Sequence, residues 1–355
     1  YMDLTGYNAR AGRGAVSDPT GAGMRDLEAR ALRTPAEAHS TLWLDPLRMM
    51  RAVRFYSAWG FRLDPRLVDA MDRTAYLLNR VSAERIRMEL ERILVSARLA
   101  SSLGLMLRTG VLDVVLPELG AARGFSQGTP YHAYDLYTHL VKTAAYMPAD
   151  ALLRLAGLVH DIGKLETQMP RQDRMVYYGH EEVSAGVAAS IMARLKFPKR
   201  STNFVVFLVG NHMINYSSDW SDRAIRRFTR KAGANLGPLM TLAEADRRAQ
   251  RPGSGATGLL RELRGRIAGL DRAACLGTHV PLDGREIMKV LGIREGPLVG
   301  RAKEFLAEVA LNRGRPMGRD EAAEALRRWS LAHDVAAGRR LPDGRSVGVD
   351  NSGTA

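Results

Sequence analysis

From Leu44 onward, apolar residues recur at helical spacing almost without interruption, the pattern of helices that each bury one face. Asp45-Pro46 reads as the first start signal, since aspartate can cap a helix and proline is tolerated at its first position. Leu47, Met50, Val53 and Ala58 follow on one side, and the run ends near Gly60. Further helices are expected over 65–79, 83–98 and 101–117, with Ser82 capping the second and Gly110 breaking the third. Upstream, residues 1–24 are rich in Gly, Ala and Arg and close on a turn-forming stretch, Asp18 to Gly23. Gly124 to Pro130 reads as a linker. Beyond it lie an apolar helix, Leu152 to Val159, and a short extended stretch, Met175 to Tyr178. After a second Pro/Gly/Ser segment, Arg251 to Gly258, amphipathic helices are expected over 258–275, 284–291, 297–311 and 319–333. From about Ala336 the composition predicts disorder. The pattern contains no tandem repeat and predicts an all-α, mostly helical chain.

Composition narrows the function. No apolar run approaches the roughly 20 residues that span a bilayer, and no charged-then-apolar leader opens the chain, so no membrane partner is expected. A single cysteine, Cys275, excludes an internal disulfide framework and fits a cytoplasmic location. Because the chain begins at Tyr1 and not at a methionine, part of the gene product is expected upstream. Lys and Arg number 52 against 38 Asp and Glu, a net charge of +14 carried mostly by arginine. That excess, in a side chain whose planar fork suits phosphates and base edges, points to a nucleic-acid partner.

Five of the eight histidines fall between 131 and 250. His160-Asp161 closes the apolar helix, and burying two polar side chains there costs free energy unless both are bonded. Neighbouring helix positions point about 100° apart, so both can reach one ion only if it sits off the helix end. His139, His180, His212 and Asp246 would then arrive from other elements. A shell of imidazoles and carboxylates suits Mg, Mn, Ni, Co, Fe or Zn without choosing among them. Six ligands could hold two ions, whereas His139, His160, Asp161 and Asp246 alone would hold one, and in either case the metal would promote hydrolysis of phosphate esters. Lys164, one turn after Asp161, could steady a phosphate. The order His139, His160-Asp161, His180, His212, Asp246, with Val159 to Lys164 and Gly179-His180-Glu181, resembles the HD phosphohydrolase superfamily. That resemblance implies a helical fold, a metal at these positions and a phosphomonoesterase or phosphodiesterase activity.

Asp45, Arg48, Arg51 and Arg54 recur every third residue, an inclined row opposite Leu47, Met50 and Val53. Carboxylate and guanidinium groups together could read the pairing edge of a cytosine or adenine; the same spacing also describes a capping aspartate before a solvated basic face. The words Asp45 to Phe55, Gly60-Phe61 and Val81 to Ile86 closely resemble the neck of class II tRNA nucleotidyltransferases, the CCA-adding enzymes, and their poly(A) polymerase relatives. Asp18 to Leu27 is similar to the end of that family's catalytic head. Leu282 to Met288 and Gly292 to Gly300 are similar to its tail. The resemblance covers nearly the whole chain, and a central HD domain is a known arrangement within it. It implies that Asp45, Arg48 and Arg51 contact CTP or ATP, that tRNA is the partner, and that Mg supports nucleotidyl transfer in the complete protein.

Two departures stand out. Leu44 occupies the position where the family usually carries a glutamate. A Gly-rich phosphate loop and a metal-binding aspartate pair, which transfer requires, are expected upstream of Tyr1, so transfer is not expected of this stretch alone. The segment Gly292 to Pro297 could present backbone N–H groups at a helix start to an RNA phosphate, or serve as an ordinary connection. The resulting organisation is a head remnant (1–36), a helical neck and body that binds nucleotide and RNA (37–120), a metal-dependent HD domain (121–250), a tRNA-binding helical tail (251–335) and a disordered end (336–355). Two alternatives remain open at this point: a stand-alone HD phosphohydrolase with RNA-binding flanks, and an RNA-binding module with an inactive metal site.

Overall fold

The structure, a computed structural model, describes residues 18, 20–128, 134–172, 174–250, 256–270, 280–315 and 317–333. The readings made for residues 1–17, His132, Cys275 and 336–355 fall outside them. The chain forms two compact units, each assembled from two stretches: residues 1–215 with 237–257, and 216–236 with 258–355.

The first unit opens with α1 (Gly23–Glu28), α2 (Ala38–Leu44), α3 (Arg48–Trp59), α4 (Pro65–Thr74), α5 (Ala83–Leu94), α6 (Leu99–Arg108), α7 (Val111–Val115) and α8 (Pro117–Ala121). Two short strands, β1 (Ala31–Leu32) and β2 (Arg62–Leu63), pair in parallel. Helix α2 precedes the first expected helix. Its His, Ser, Thr and Trp residues are weak helix formers, and the Glu37 carboxylate holds it by accepting from the His39 and Ser40 N–H groups at 2.8 and 2.6 Å.

Asp45 does not open α3 as expected. Its backbone is extended and closes α2, with its N–H on Thr41 O, while its carboxylate turns to Arg48 and Arg85 at 3.7 Å each. Ser82 has the extended backbone of a cap but makes no side-chain cap bond. The helix expected over 65–79 stops at Thr74, whose hydroxyl bonds back to Ala70 O at 2.6 Å, and continues as a 3-10 turn, Ala75–Arg80. The one expected over 83–98 stops at Leu94. The buried Arg154 donates to the Leu94 and Ser96 carbonyls at 2.7 and 2.6 Å, satisfying groups a helix end leaves open. Gly110 does break the third helix, at φ 65°. Met49, Met50, Leu90, Ile93, Leu94, Leu103 and Met106 close the core between α3, α5 and α6.

Through Arg154, this core continues into a second layer of the same unit. Helices α9 (Leu136–Tyr146) and α10 (Ala151–Val159) pack so closely that a Cβ on Gly157 would lie 3.0 Å from Ala144 Cα. Helix α11 (Lys164–Thr167), an antiparallel hairpin of β3 (Met169–Arg171) and β4 (Arg174–Val176), α12 (His180–Arg194) and α13 (Lys199–Gly210) follow. The extended stretch expected over Met175 to Tyr178 agrees with β4 only at Met175 and Val176, and Tyr178 lies in a turn.

The second unit takes α14 (Asp222–Ala232), which the sequence had placed in the block 121–250, whereas α15 (Leu236–Ala249) lies almost wholly in the first unit. Helix α14 is held by Arg226, whose Nε donates to Leu311 O at 2.7 Å, and by Asp222 paired with Arg266 at 2.8 Å. Helix α16 runs Ala256–Gly269, and residues 271–275 of the expected 258–275 helix lie outside the described set. Helices α17 (Gly284–Leu291), α18 (Pro297–Arg313) and α19 (Arg319–Ala332) match the tail pattern within two residues. Ile287, Leu291, Ala302, Leu306 and Leu326 form their core.

Candidate metal centre and nucleotide face

All six histidines and aspartates singled out above lie in the first unit and converge. Asp135 caps α9, accepting from Thr138 N at 3.0 Å and Gly124 N at 2.7 Å, which fixes the helix that carries His139 on its buried face. Asp150 caps α10 through the Leu152 and Leu153 N–H groups, so the apolar run behind it delivers His160 and Asp161 at the helix end. Gly179, left-handed at φ 73°, starts α12 with His180 as its first residue. His212 follows the end of α13, and Asp246 stands on α15. The turn after Asp161 nests against α12, with Gly163 N donating to Ser184 Oγ at 2.9 Å. A Cβ on Gly163 would lie 2.4 Å from His180 O, so this approach requires glycine.

Asp161 is the hub. Its Oδ1 stands 3.1 Å from His180 Nε2 and 3.3 Å from His212 Nε2. Its Oδ2 stands 3.4 Å from the Nε2 atoms of both His139 and His160. Asp246 Oδ1 completes that second side, 3.2 Å from His139 Nε2 and 3.6 Å from His160 Nε2. The ligand atoms thus form two groups that share Asp161, each within 4.8 Å: His139, His160, Asp161 and Asp246, and Asp161, His180 and His212. With bonds of about 2.1 Å to a cation, neighbouring ligand atoms stand about 3.0 Å apart in an octahedral shell and about 3.4 Å apart in a tetrahedral one. The carboxylate–imidazole separations, from 3.1 to 3.6 Å, lie near these edge lengths.

The tautomers fit as well. His160, His180 and His212 each direct Nδ1 to a carbonyl three residues back: Gly157 O at 3.0 Å, Tyr177 O at 2.7 Å and Val209 O at 2.7 Å. A carbonyl only accepts, so Nδ1 carries the proton and Nε2 of the neutral ring presents a lone pair. The buried Nε2 atoms of His160 and His180 have no hydrogen-bond partner and face carboxylate oxygens. Lone pairs facing lone pairs require a cation or a proton between them, so the donor set fits a divalent metal.

Without a metal, the same geometry captures protons. Burial opposes charging His160, yet Asp161 and Asp246 outweigh it and raise its pKa to about 10. His139 is raised against its burial by both aspartates, and His180 by Asp161. Burial likewise opposes ionising Asp161, but Lys164 and His160 hold it well below the usual carboxylate range. His139 and His160 do the same for Asp246. Lys164 is not extended toward open space. It is buried, its Nζ 2.6 Å from Asp161 Oδ2 and donating to Gln127 Oε1 at 3.0 Å. Gln127 sits in the segment read as a linker, and the Tyr177 hydroxyl donates to its carbonyl at 2.6 Å. No periodicity or motif marks Gln127, Tyr177 or Ser184, because their roles depend on loops meeting across the fold.

The row on α3 divides in two. Arg48 and Arg51 are exposed, with the partly exposed Asp45 beside Arg48. Arg85, unremarked by spacing, joins Asp45 from α5. Arg54 is engaged elsewhere: its Nε pairs with the buried Glu89 at 2.6 Å and its guanidinium lies 4.4 Å over the Phe55 ring, bracing α3 on α5. Leu44 stands exposed beside this face. Among the described residues, no helix is long and apolar enough to cross a membrane.

A family model described as the probable RNA- and SrmB-binding site of polymerase A matches residues 60–123. An A-adding tRNA nucleotidyltransferase of Deinococcus radiodurans is 35% identical over 339 residues, covering 90% of this chain and 76% of that protein. A CC-adding tRNA nucleotidyltransferase of Thermus thermophilus is 35% identical over 321 residues, covering 87% and 72%. The crystal structure of the Bacillus stearothermophilus CCA-adding enzyme in complex with CTP shares the fold, with a TM-score of 0.60 and 23% identity over 91% of this chain and 71% of that one. The chain belongs to the CCA-adding tRNA nucleotidyltransferase family.

Proposed function

We propose that this chain, akin to tRNA nucleotidyltransferases, handles tRNA 3′ ends, and that its six-residue cluster is an HD-type, divalent-metal phosphohydrolase centre. On this reading Asp45, Arg48 and Arg51 form the face for the base of CTP or ATP, with Arg54 bracing the helix that presents them. Mg serves transfer in the complete protein, one of Mg, Mn, Ni, Co, Fe or Zn occupies the six-residue site, and the chain works in the cytoplasm.

The observation that carries the phosphohydrolase half is the set of three imidazoles whose Nδ1 atoms are tied to carbonyls while their Nε2 atoms face Asp161 and Asp246. His139, His160 and Asp246 hold one side of the shell, His180 and His212 the other, and Asp161 offers one oxygen to each. A bound divalent cation would supply charge for phosphoryl oxygens and acidify water beside them. Lys164 keeps Asp161 ionised from inside the shell, and the Gln127 and Tyr177 contacts keep Lys164 there. The substrates that fit are phosphate monoesters and cyclic phosphates on RNA ends, since the basic chain holds the RNA itself by its backbone.

The test is hydrolysis of p-nitrophenyl phosphate, bis-p-nitrophenyl phosphate and 2′,3′-cyclic nucleotides by the purified chain with each metal in turn. Loss of an outer-shell partner costs about 10–100-fold, so replacing the hub, Asp161→Ala, should cost at least about 100-fold. Hydrolysis that is absent from the wild type under every metal would leave a non-catalytic, RNA-binding chain.

A further inference from the structure

In the second unit, α14 concentrates charge. Its eleven residues contain Arg223, Arg226, Arg227, Arg230 and Lys231 against one acid, Asp222. Arg226 is spent on the Leu311 and Asn312 carbonyls. Arg223, Arg227 and Arg230 converge on one carboxylate, Glu308: Arg223 at 3.4 Å, Arg230 at 3.8 Å and Arg227 in direct contact. One acid among three guanidinium groups leaves two charges unbalanced. Among the described residues, no carboxylate pairs with Lys231. Like charges so grouped repel unless an anion joins them.

The same face carries aromatic rings. Trp220, just before the helix, is held edge-on by Tyr216 and Phe228, with ring centres 5.5 and 6.0 Å apart. Trp220 and Phe228 line a cavity of about 390 Å³ together with Arg223, Arg227 and Lys231. Cations at i, i+4 and i+8 lie along one side of a helix with a rise of about 6 Å per step, close to the spacing of phosphates along an extended strand. Tyr216 is fixed in turn, donating to Glu262 at 2.6 Å, which steadies the ring that packs edge-on against Trp220.

We infer that this groove binds an unpaired nucleotide of an RNA strand, its base stacked on the Trp220 ring beside Phe228 and its flanking phosphates on Arg223, Arg227 and Lys231. The inference rests on the reading that the chain handles RNA, and extends it to a single-strand subsite that neither the metal centre nor the α3 face provides. Charge alone would also suit an acidic peptide, but such a partner gives the aromatic rings nothing to do. Stacking platforms beside cations are what unpaired bases require.

The test measures binding of a fluorescein-labelled hexaribonucleotide to the full chain by anisotropy across a salt series, with an RNA duplex of equal charge alongside. Trp220→Ala should weaken the hexanucleotide about ten-fold and leave the duplex unchanged, while Trp220→Phe retains most of the binding. The pair Arg223→Ala and Lys231→Ala should lower the salt slope by about 1.4, near 0.7 per single-strand phosphate. Should Trp220→Ala fail to fold, Lys231→Glu on the exposed side still decides, predicting at least a ten-fold loss of hexanucleotide binding at low salt. Equal hexanucleotide binding by the variants, or an aspartate-rich peptide competing as well as the RNA, would overturn the inference. Hydrolysis of bis-p-nitrophenyl phosphate by these α14 variants is expected to match the wild type, so a failed metal centre and a failed groove give different results.

Discussion

At the scale of single residues, the cluster around Asp161 behaves as a proton trap until a metal takes it. The folded pKa of His160 is near 10, against about 6.5 in an unfolded chain. Its bound proton therefore stabilises the metal-free fold fully below about pH 6.5 and progressively less as the pH rises toward 10. Asp161 and Asp246 act oppositely, contributing above their unfolded values and losing that contribution in acid. Thermal melting of the EDTA-treated protein should accordingly show a falling melting temperature from pH 6.5 to 9.5, and saturating metal should remove the fall. Lys164→Met should be worse for the metal-free protein. It strips the nearest cation from a buried carboxylate, a change worth about 3–5 kcal/mol when nothing replaces it, and a bound metal should recover part of that loss. The His160-Asp161 pair announced itself in the sequence, because two polar residues closing an apolar helix need partners. Gln127 did not, since it reaches Lys164 and Tyr177 from a distant loop.

Element by element, periodicity located the helices from α3 to α7, α10 and those of the tail but missed α2, and helix ends answered to contacts the pattern does not contain. Asp45 and Ser82 carry the right chemistry for caps, yet neither side chain caps: Asp45 is drawn to Arg48 and Arg85, and Ser82 stands at the N-cap of α5 without a side-chain bond. Helix α5 ends early because Arg154, sixty residues away, takes its last carbonyls. Arg154→Met should leave at least two buried carbonyls without donors, at about 1–3 kcal/mol each, lowering the melting temperature and loosening α10 against α5. Urea unfolding would read the loss as a lower midpoint with an unchanged slope. Gly163→Ala probes the site itself. A Cβ 2.4 Å from His180 O must push the turn from α12, so metal affinity should drop about 10–100-fold with the helical circular dichroism retained. Unchanged affinity would show that the turn tolerates displacement.

For the whole molecule, the basic excess and the order of motifs pointed to an RNA-handling, mostly helical protein, and the relatives agree. What the linear order concealed is that the chain builds each unit from two separated stretches. Helix α14, ahead of α15 in sequence, joins the tail unit, and α15 brings Asp246 to the other. No composition shift marks that exchange, since both helices mix Arg with Ala and larger apolar residues, Ile225 and Phe228 in one and Leu239 and Leu242 in the other. The net charge of +14 predicts tRNA affinity that falls about 10³-fold or more between 50 and 200 mM salt if some six phosphates are contacted, a filter-binding measurement. The claim on which the phosphohydrolase reading depends is cation capture by the six convergent side chains. Calorimetric titration of the EDTA-stripped chain with Mn²⁺ at pH 7, repeated in two buffers of different ionisation enthalpy, tests it most directly. Saturable binding with net proton release, abolished in His160→Ala/Asp161→Ala, is the predicted result; a flat titration of the folded wild-type chain would contradict it.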